Sequence, residues 1–351
     1  MKRGTTNFKV VLPLALSGES EKYPQKFRAL GAEFVGQHCT NDDEFVALAG
    51  DADAVITVGS IRPVPRQIVE KLKQCRLISN TQIGYDSIDT AAATERGILV
   101  TNVPDYCVEE VSDHAMALIL ACARKIVPLN EAAKKGQWGL SADGIEIQNQ
   151  IWPKMSRLQG QTLGLLGLGK VSRALVPKAQ GFQLRVIACD PYVSPEVAQQ
   201  IGVELVDWKR LLRESDFLSI HAALTPETRR IMNAEAFNQM KPTACLINTA
   251  RGGFIDEAAL YQALKEGKIA MAALDVTDPE PPAPRSPLLA MNNVISTAHS
   301  AFFSPTSEAE RWHRPVEEVG RVMRGEWPRA VVNPRAKEKY VARWGAMKEP
   351  N

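Results

Sequence analysis

Short apolar runs alternate with helical patterns over the first hundred residues. Segments 8–14, 54–58, 77–79 and 98–101 have the length and content of buried strands, and 32–35 is a weaker one. Polar helical stretches at 64–74 and 89–96 lie between them. Gly97 stands where a helix-ending glycine is expected before the next strand. The succession predicts an α/β domain with a mostly parallel sheet. Residues 109–127 then form a helix that is apolar almost all round, so it is expected to be buried on several sides. Residues 136–157 show no clear period and read as a loop. From Gln161 the alternation sharpens, with strands at 162–166, 185–189, 217–221, 244–248, 270–275 and 293–297. Six strands with helical crossovers fit a doubly wound nucleotide-binding domain. A last helix is expected over about 307–324, kinked or restarted at Pro315 because proline has no N–H to continue the ladder.

Composition narrows the class. At about 150 residues per domain, the 351 residues make two domains or slightly more. Hydrophobic residues at 45% and charged residues at 23% exclude a disordered chain, a collagen-like repeat and a disulfide-stapled miniprotein. Lys plus Arg at 42 against Asp plus Glu at 40 argues against nucleic acid or an anionic membrane as the main partner. The longest apolar run, Ala115 to Ala123, is too short to cross a bilayer. Lys2 and Arg3 begin the chain, but Pro13, Ser17 and Glu19 interrupt the apolar stretch after them, so no signal peptide is expected. Cys39, Cys75, Cys107, Cys122, Cys189 and Cys245 are scattered without a C-x-x-C pair, as expected of reduced thiols in a cytoplasmic protein.

Gly167-Leu168-Gly169-Lys170-Val171-Ser172 follows one strand and opens a helix. The first glycine permits a tight turn, and the second lets a pyrophosphate approach the helix N-terminal amides. Ser172 replaces the usual third glycine or alanine. Alone, the pattern also fits an ordinary strand–helix turn. Asp190, at the end of the next strand and about 20 residues on, strengthens it, because a carboxylate there accepts hydrogen bonds from an adenosine ribose and repels a 2′-phosphate. NAD is therefore expected over NADP.

The chain at this point resembles the D-isomer-specific 2-hydroxyacid dehydrogenases, in particular their C-terminal-binding-protein-like branch. The stretches that carry the likeness are Gly84–Asp89 (GYDSID), Val103–Cys107 (VPDYC), Leu163–Ser172, Leu224–Thr228 (LTPET), Asn248–Asp256 (NTARGGFID), Ala273–Val276 (ALDV) and Ala298–Ser300 (AHS). The resemblance implies a Rossmann-type NAD domain over residues 109–311. It also implies a smaller flavodoxin-like α/β substrate domain built from 1–108 and 312–351, with the active site in the cleft between them. A homodimer packed through the NAD domains is implied as well, with the helix after Glu109 in its interface. The expected cofactor contacts are Gly167, Gly169, Lys170, Val171, Asp190, His221, Ala222, Thr228, Thr249, Ala250 and Asp275.

Hydride transfer at a 2-hydroxy acid needs a cation for the carboxylate and carbonyl, an acid/base on the carbinol oxygen, and a group that tunes the acid/base. Arg251 can hold a carboxylate bidentately. His299 matches the family's acid/base; without that match it reads as an ordinary loop histidine. Glu280 matches the glutamate partner, with Asp278 the nearest confounder, and a carboxylate there favours the imidazolium. His221 resembles a cofactor-loop histidine, with simple packing the alternative, and Ala222-Ala223 replaces the usual Cys-Pro after it. His114 is expected to cap or pack, and no histidine pair has metal-ligand spacing.

On the substrate side, the backbone N–H groups of Ile83 and Gly84 are expected to meet the substrate carboxylate. Asn80 and Gln82 stand where relatives often carry Arg and Gly. Gly59 and Ile61 align where phosphoglycerate-specific relatives place phosphate-binding arginines, with Arg62 close by. Ala298 replaces a proline and Thr277 an aromatic at the pocket edge. The reading is an NAD-dependent D-2-hydroxyacid dehydrogenase acting reversibly on a small 2-keto acid. A glyoxylate, hydroxypyruvate or phosphoglycerate dehydrogenase is the alternative within the family. A non-catalytic, NAD-sensing corepressor-like scaffold is the alternative outside enzymology.

Overall fold

A computed structural model describes residues 8–349; Lys2 and Arg3 lie outside them. The chain divides into two compact units, one made of residues up to Tyr106 with those from Ser304 on, the other Cys107–Phe303.

The first unit holds β1 (Phe8–Leu12), β2 (Ala32–Gly36), β3 (Ala54–Thr57), β4 (Leu77–Asn80) and β5 (Leu99–Thr101), all parallel in the order β2-β1-β3-β4-β5. That is the flavodoxin-like order. β3 and β4 are buried at every position, which is why they read as apolar runs rather than alternations. Neighbouring residues still face opposite ways. Val10, Leu12 and Ile56 pack with Tyr23, Phe27, Trp312 and Val319, while Val11, Val55 and Ile78 pack with Phe45, Ile68 and Leu72. The helix expected over 64–74 shortens to Arg66–Val69, and turns carry Leu72 and Cys75 into the core.

The C-terminal return corrects one expectation. The helix Pro305–Met323 runs uninterrupted through Pro315, which is buried inside it. An interior proline costs about 3 kcal/mol, and burial of Trp312, Val316, Val319 and Val322 along one face offsets that loss. The helix begins with a capping box in which the Ser304 hydroxyl accepts from Ser307 N at 3.0 Å and Ser307 Oγ accepts from Ser304 N at 2.8 Å. The return to the first unit therefore starts at Ser304 rather than at residue 312. Farther on, Trp327, Ala336 and Tyr340 join the same core.

The second unit carries β6 (Thr162–Leu166), β7 (Arg185–Cys189), β8 (Glu204–Leu205), β9 (Phe217–Ile220), β10 (Cys245–Asn248), β11 (Met271–Leu274) and β12 (Val294–Ser296). They form one parallel sheet in the order β12-β11-β10-β9-β6-β7-β8. The two-residue edge strand β8 is too short to leave a pattern in the sequence. Order reverses between β6 and β9, the topological switch point where open α/β sheets bind ligands. The helix Val108–Arg124 buries Val111, Ala115, Leu118, Ile119 and Cys122 and shares a core with Leu163, Leu175 and Ile247. Residues 136–157 contain single helical turns at Ala142–Gly144, Ile147–Ile151 and Trp152–Lys154 instead of a plain loop.

Candidate active site

The turn after β6 is shaped by two independent demands on Gly167. Its φ is +89°, and a Cβ there would meet the Ala222 backbone at 2.8 Å. The loop after β9, with His221 and Ala222, thus lies directly against the glycine turn. Gly169 is exposed, and its Cβ direction is open space. It sits at the N-terminus of the helix Lys170–Gly181, where no side chain caps the first amides. Lys170 and Val171 open that helix on its solvent-facing side. Ser172 does more than fit: it is fully buried, and its hydroxyl donates to Gly167 O at 2.7 Å.

Asp190 closes the same turn from β7, accepting from Leu168 N at 2.8 Å and from Tyr192 N at 2.9 Å. Each of its oxygens keeps a second lone pair for a hydroxyl donor. The Thr249 hydroxyl is buried without a hydrogen-bond partner, while Ala250 N donates to Asn248 Oδ1 at 3.0 Å. Thr228 is turned to its own loop, accepting from Thr225 N and donating to Ala223 O. Open helix amides, an unblocked glycine, a carboxylate on the turn and an orphaned hydroxyl fit a dinucleotide. The His221 ring contacts Ser219 Oγ at 2.8 Å. Burial pushes its pKa down to about 4, so it is neutral near pH 7.

The three expected catalytic residues lie on loops beyond β10, β11 and β12. His299 Nδ1 and Glu280 Oε1 are 2.7 Å apart. A carboxylate can only accept, so Nδ1 carries the proton and Nε2 is left for chemistry. Asp278, the confounder, pairs instead with Arg229 at 3.3 Å. Arg251 begins the turn after β10, with Asn248 Nδ2 donating to its carbonyl at 2.8 Å. The space beside Gly252 is not empty. A Cβ there would overlap the backbone of Thr277 and Asp278, so the glycine lets the Glu280 loop cross the Arg251 turn. Ala298 and His299 both have left-handed backbones, with φ of +51° and +56°. Such non-glycine residues cost about 1–2 kcal/mol each, and strain of this kind collects at functional sites.

Asp275, an expected cofactor contact, is turned to its own loop. Its side chain is 1% exposed, and its carboxylate accepts from Thr297 Oγ1 at 2.6 Å, Ser300 N at 2.8 Å and Ala301 N at 3.1 Å. These bonds bracket His299, two of them on Oδ1 and one on Oδ2. Nothing in the sequence distinguishes this Asp from one that touches a cofactor.

In the first unit, Ile83 and Gly84 follow β4. Two side-chain amides hold the carbonyls of this loop through three hydrogen bonds. Asn80 Nδ2 donates to Gln82 O at 3.2 Å and Gly84 O at 2.7 Å, and Asn102 Nδ2 donates to Ile83 O at 2.7 Å. Gln82 is tied to Ser60 through both ends of its own amide. Among the described residues no acceptor meets the N–H groups of Ile83 and Gly84. Motif reading missed Asn102 and the loop-holding role of Asn80, because their partners are backbone atoms. Arg62 is engaged elsewhere, pairing with Asp42 at 3.0 Å and lying over the Phe45 ring.

Among the described residues there is no group of three His, Cys, Asp or Glu that could hold a metal ion, and no helix is long and apolar enough to cross a membrane. A sequence model of the D-isomer specific 2-hydroxyacid dehydrogenase NAD binding domain matches residues 116–301. D-3-phosphoglycerate dehydrogenase of Methanocaldococcus jannaschii is 42% identical over 83% of this chain, which spans about half (53%) of that enzyme's length. Glyoxylate reductase of Korarchaeum cryptofilum is 37% identical over 81% of this chain and 83% of its own. Among solved structures, D-lactate dehydrogenase of Aquifex aeolicus, complexed with NAD and lactic acid, superposes with a TM-score of 0.78 at 26% identity, covering 90% of this chain and 96% of that one.

Proposed function

Because the chain belongs to the D-isomer-specific 2-hydroxyacid dehydrogenase family, and its second unit is that family's NAD-binding domain, we propose that it catalyses reversible reduction of a small 2-keto acid. The observation that carries this reading is the 2.7 Å contact between His299 Nδ1 and Glu280. It leaves the other ring nitrogen of His299 to exchange a proton with the substrate oxygen. When bound, NADH supplies the hydride. Arg251 holds the substrate carboxylate and polarises the carbonyl. The Ile83 and Gly84 amides are assigned to substrate binding. Glu280 keeps His299 in the required tautomer and orientation, and His299 donates the proton as the carbonyl oxygen gains charge. Gly167, Gly169, Lys170, Val171, Asp190, His221, Ala222, Thr228, Thr249 and Ala250 are assigned to the dinucleotide.

The substrate is proposed to lack a phosphate, because Arg62 is committed to Asp42 and Phe45. The apolar residues Ile126, Trp138, Leu140 and Ile145, all more than half exposed after the helix Val108–Arg124, support pairing of two copies through the second unit. Six cysteines outside any disulfide support a reducing, cytoplasmic setting.

NADH oxidation measured against glyoxylate, hydroxypyruvate, pyruvate and phosphohydroxypyruvate tests the assignment. Turnover with at least one unphosphorylated acid is expected, and a strict preference for the phosphorylated acid overturns the substrate reading. Asp190 should make NADPH the poorer reductant; equal specificity constants would show that Asp190 does not read the ribose.

A further inference from the structure

His114 has no place in the reaction as described, yet it ends a hydrogen-bonded chain that runs to the turn carrying His299. His114 Nε2 lies 2.9 Å from Thr297 Oγ1, and Thr297 Oγ1 lies 2.6 Å from Asp275 Oδ1. The direction of the chain follows from donor and acceptor chemistry. An ionised Asp275 can only accept, so the Thr297 hydroxyl donates its single proton to it. The Thr297 oxygen is then an acceptor toward His114, and His114 Nε2 must carry a hydrogen. One tautomer is thereby selected, and the histidine is a donor whether neutral or charged.

The receiving end of the chain is the turn itself. Asp275 follows β11, and four loop groups converge on it. Its carboxylate takes the Thr297 hydroxyl and the Ser300 and Ala301 amides, and its carbonyl accepts from His299 N at 2.6 Å. Between Thr297 and Ser300 lie Ala298 and His299, the only two consecutive non-glycine residues with left-handed φ among those described. A turn with that backbone persists only where its surroundings over-determine it. The Thr297 hydroxyl is the one tie N-terminal to the strained pair that Asp275 makes through a side chain, and His114 holds that hydroxyl from the helix Val108–Arg124.

We propose that His114 and Thr297 are positioning residues, which act through Asp275 to fix the His299 turn so that its ring stays aligned with Glu280. The proposal rests on His299 as the proton carrier. It gives Asp275 a positioning role beside the cofactor contact expected from the sequence. It also explains a histidine on the first turns of a helix whose other face is core.

Four single substitutions and one double variant of the full chain test it. Thr297→Val removes the hydroxyl at nearly constant volume and should lower kcat about 10- to 100-fold, the range of a misaligned acid/base. NADH affinity, read by fluorescence titration, should stay within about twofold, because the dinucleotide turn is untouched. Thr297→Ser keeps the hydroxyl and should restore most of kcat. His114→Ala should lower kcat about tenfold, and His114→Gln, whose amide can donate to Thr297, should recover it. Combining Thr297→Val with His114→Ala should cost little more than Thr297→Val alone, since both cut one chain. Wild-type kcat in Thr297→Val, full additivity of the pair, or equal loss in Thr297→Ser and Thr297→Val would overturn the proposal. A second readout is independent of turnover. In protein labelled with ¹⁵N-histidine, the Nδ1–H proton shared with Glu280 should be resolved in the wild type and broadened by faster exchange in Thr297→Val. If the wild type reduces no keto acid, the functional reading fails. The NMR comparison still decides the clamp, because an unchanged Nδ1–H signal in Thr297→Val refutes it.

Discussion

In the proposed reading, the two units carry their assigned groups in opposite ways. The first presents main-chain N–H groups of Ile83 and Gly84, aimed by neutral side-chain amides that hold the carbonyls of residues 82–84. The second presents side chains, Arg251, Glu280 and His299, carried on loops held by buried polar anchors such as Asn248 and Asp275. Backbone donors have fixed charge and do not titrate, so they suit binding. Side chains can move protons and match a carboxylate's geometry, so they suit chemistry. The difference separates two kinds of damage: changes in the second unit should strike turnover, and changes in the first should strike substrate affinity.

His299→Ala is the largest test of that division. It should cut turnover about 10³-fold while NADH still binds, which stopped-flow reduction alongside fluorescence titration can measure. A variant that kept a tenth of its turnover would place the proton donor elsewhere. Arg251→Lys comes next. It keeps the charge but loses the planar fork, and should lower kcat/KM about 100-fold, with kcat and KM both affected. Preserved kcat/KM would show that Arg251 contributes only charge.

Asn80→Ala probes the other half. Freeing the Gly84 carbonyl lets the loop relax, and KM for the keto acid should rise about tenfold, with kcat within about twofold. The buried site should also lose about 1–3 kcal/mol of stability, because Gly59 N loses its acceptor. A fall in kcat at constant KM would erase the distinction between the units.

The smallest expected effect is on stability against pH. His221 has its pKa lowered by burial to about 4 from an ordinary value of 6.5. Its folded form therefore resists protonation while the unfolded chain accepts it. The contribution is present above about pH 6.5 and is lost as pH falls toward 4, amounting to about 3 kcal/mol at most. Denaturant titrations at pH 7 and pH 4.5 should show a smaller difference in His221→Asn than in the wild type. An equal difference in both would show that the ring is not shielded from water.

Much of this protein is legible in its sequence because the signals are local. A strand buried on both faces must be an apolar run, so β6 and β7 are marked at their observed bounds. A turn at φ +89° where a Cβ would come within 2.8 Å of another backbone favours glycine, so Gly167 announces itself. Arg251, Glu280 and His299 are legible because each stands in a motif and the roles proposed for them fall on side chains. What stayed hidden depends on distant partners. Whether Pro315 breaks its helix is decided by the core against which Trp312, Val316 and Val319 pack. Whether Asp275 meets a ligand or a loop is decided by a turn more than twenty residues away, and His114 finds its partner 183 residues along the chain. The Ile83 and Gly84 donors belong to the backbone, which every residue has. Only the tertiary structure selects them, because only it determines which amides are left without a partner.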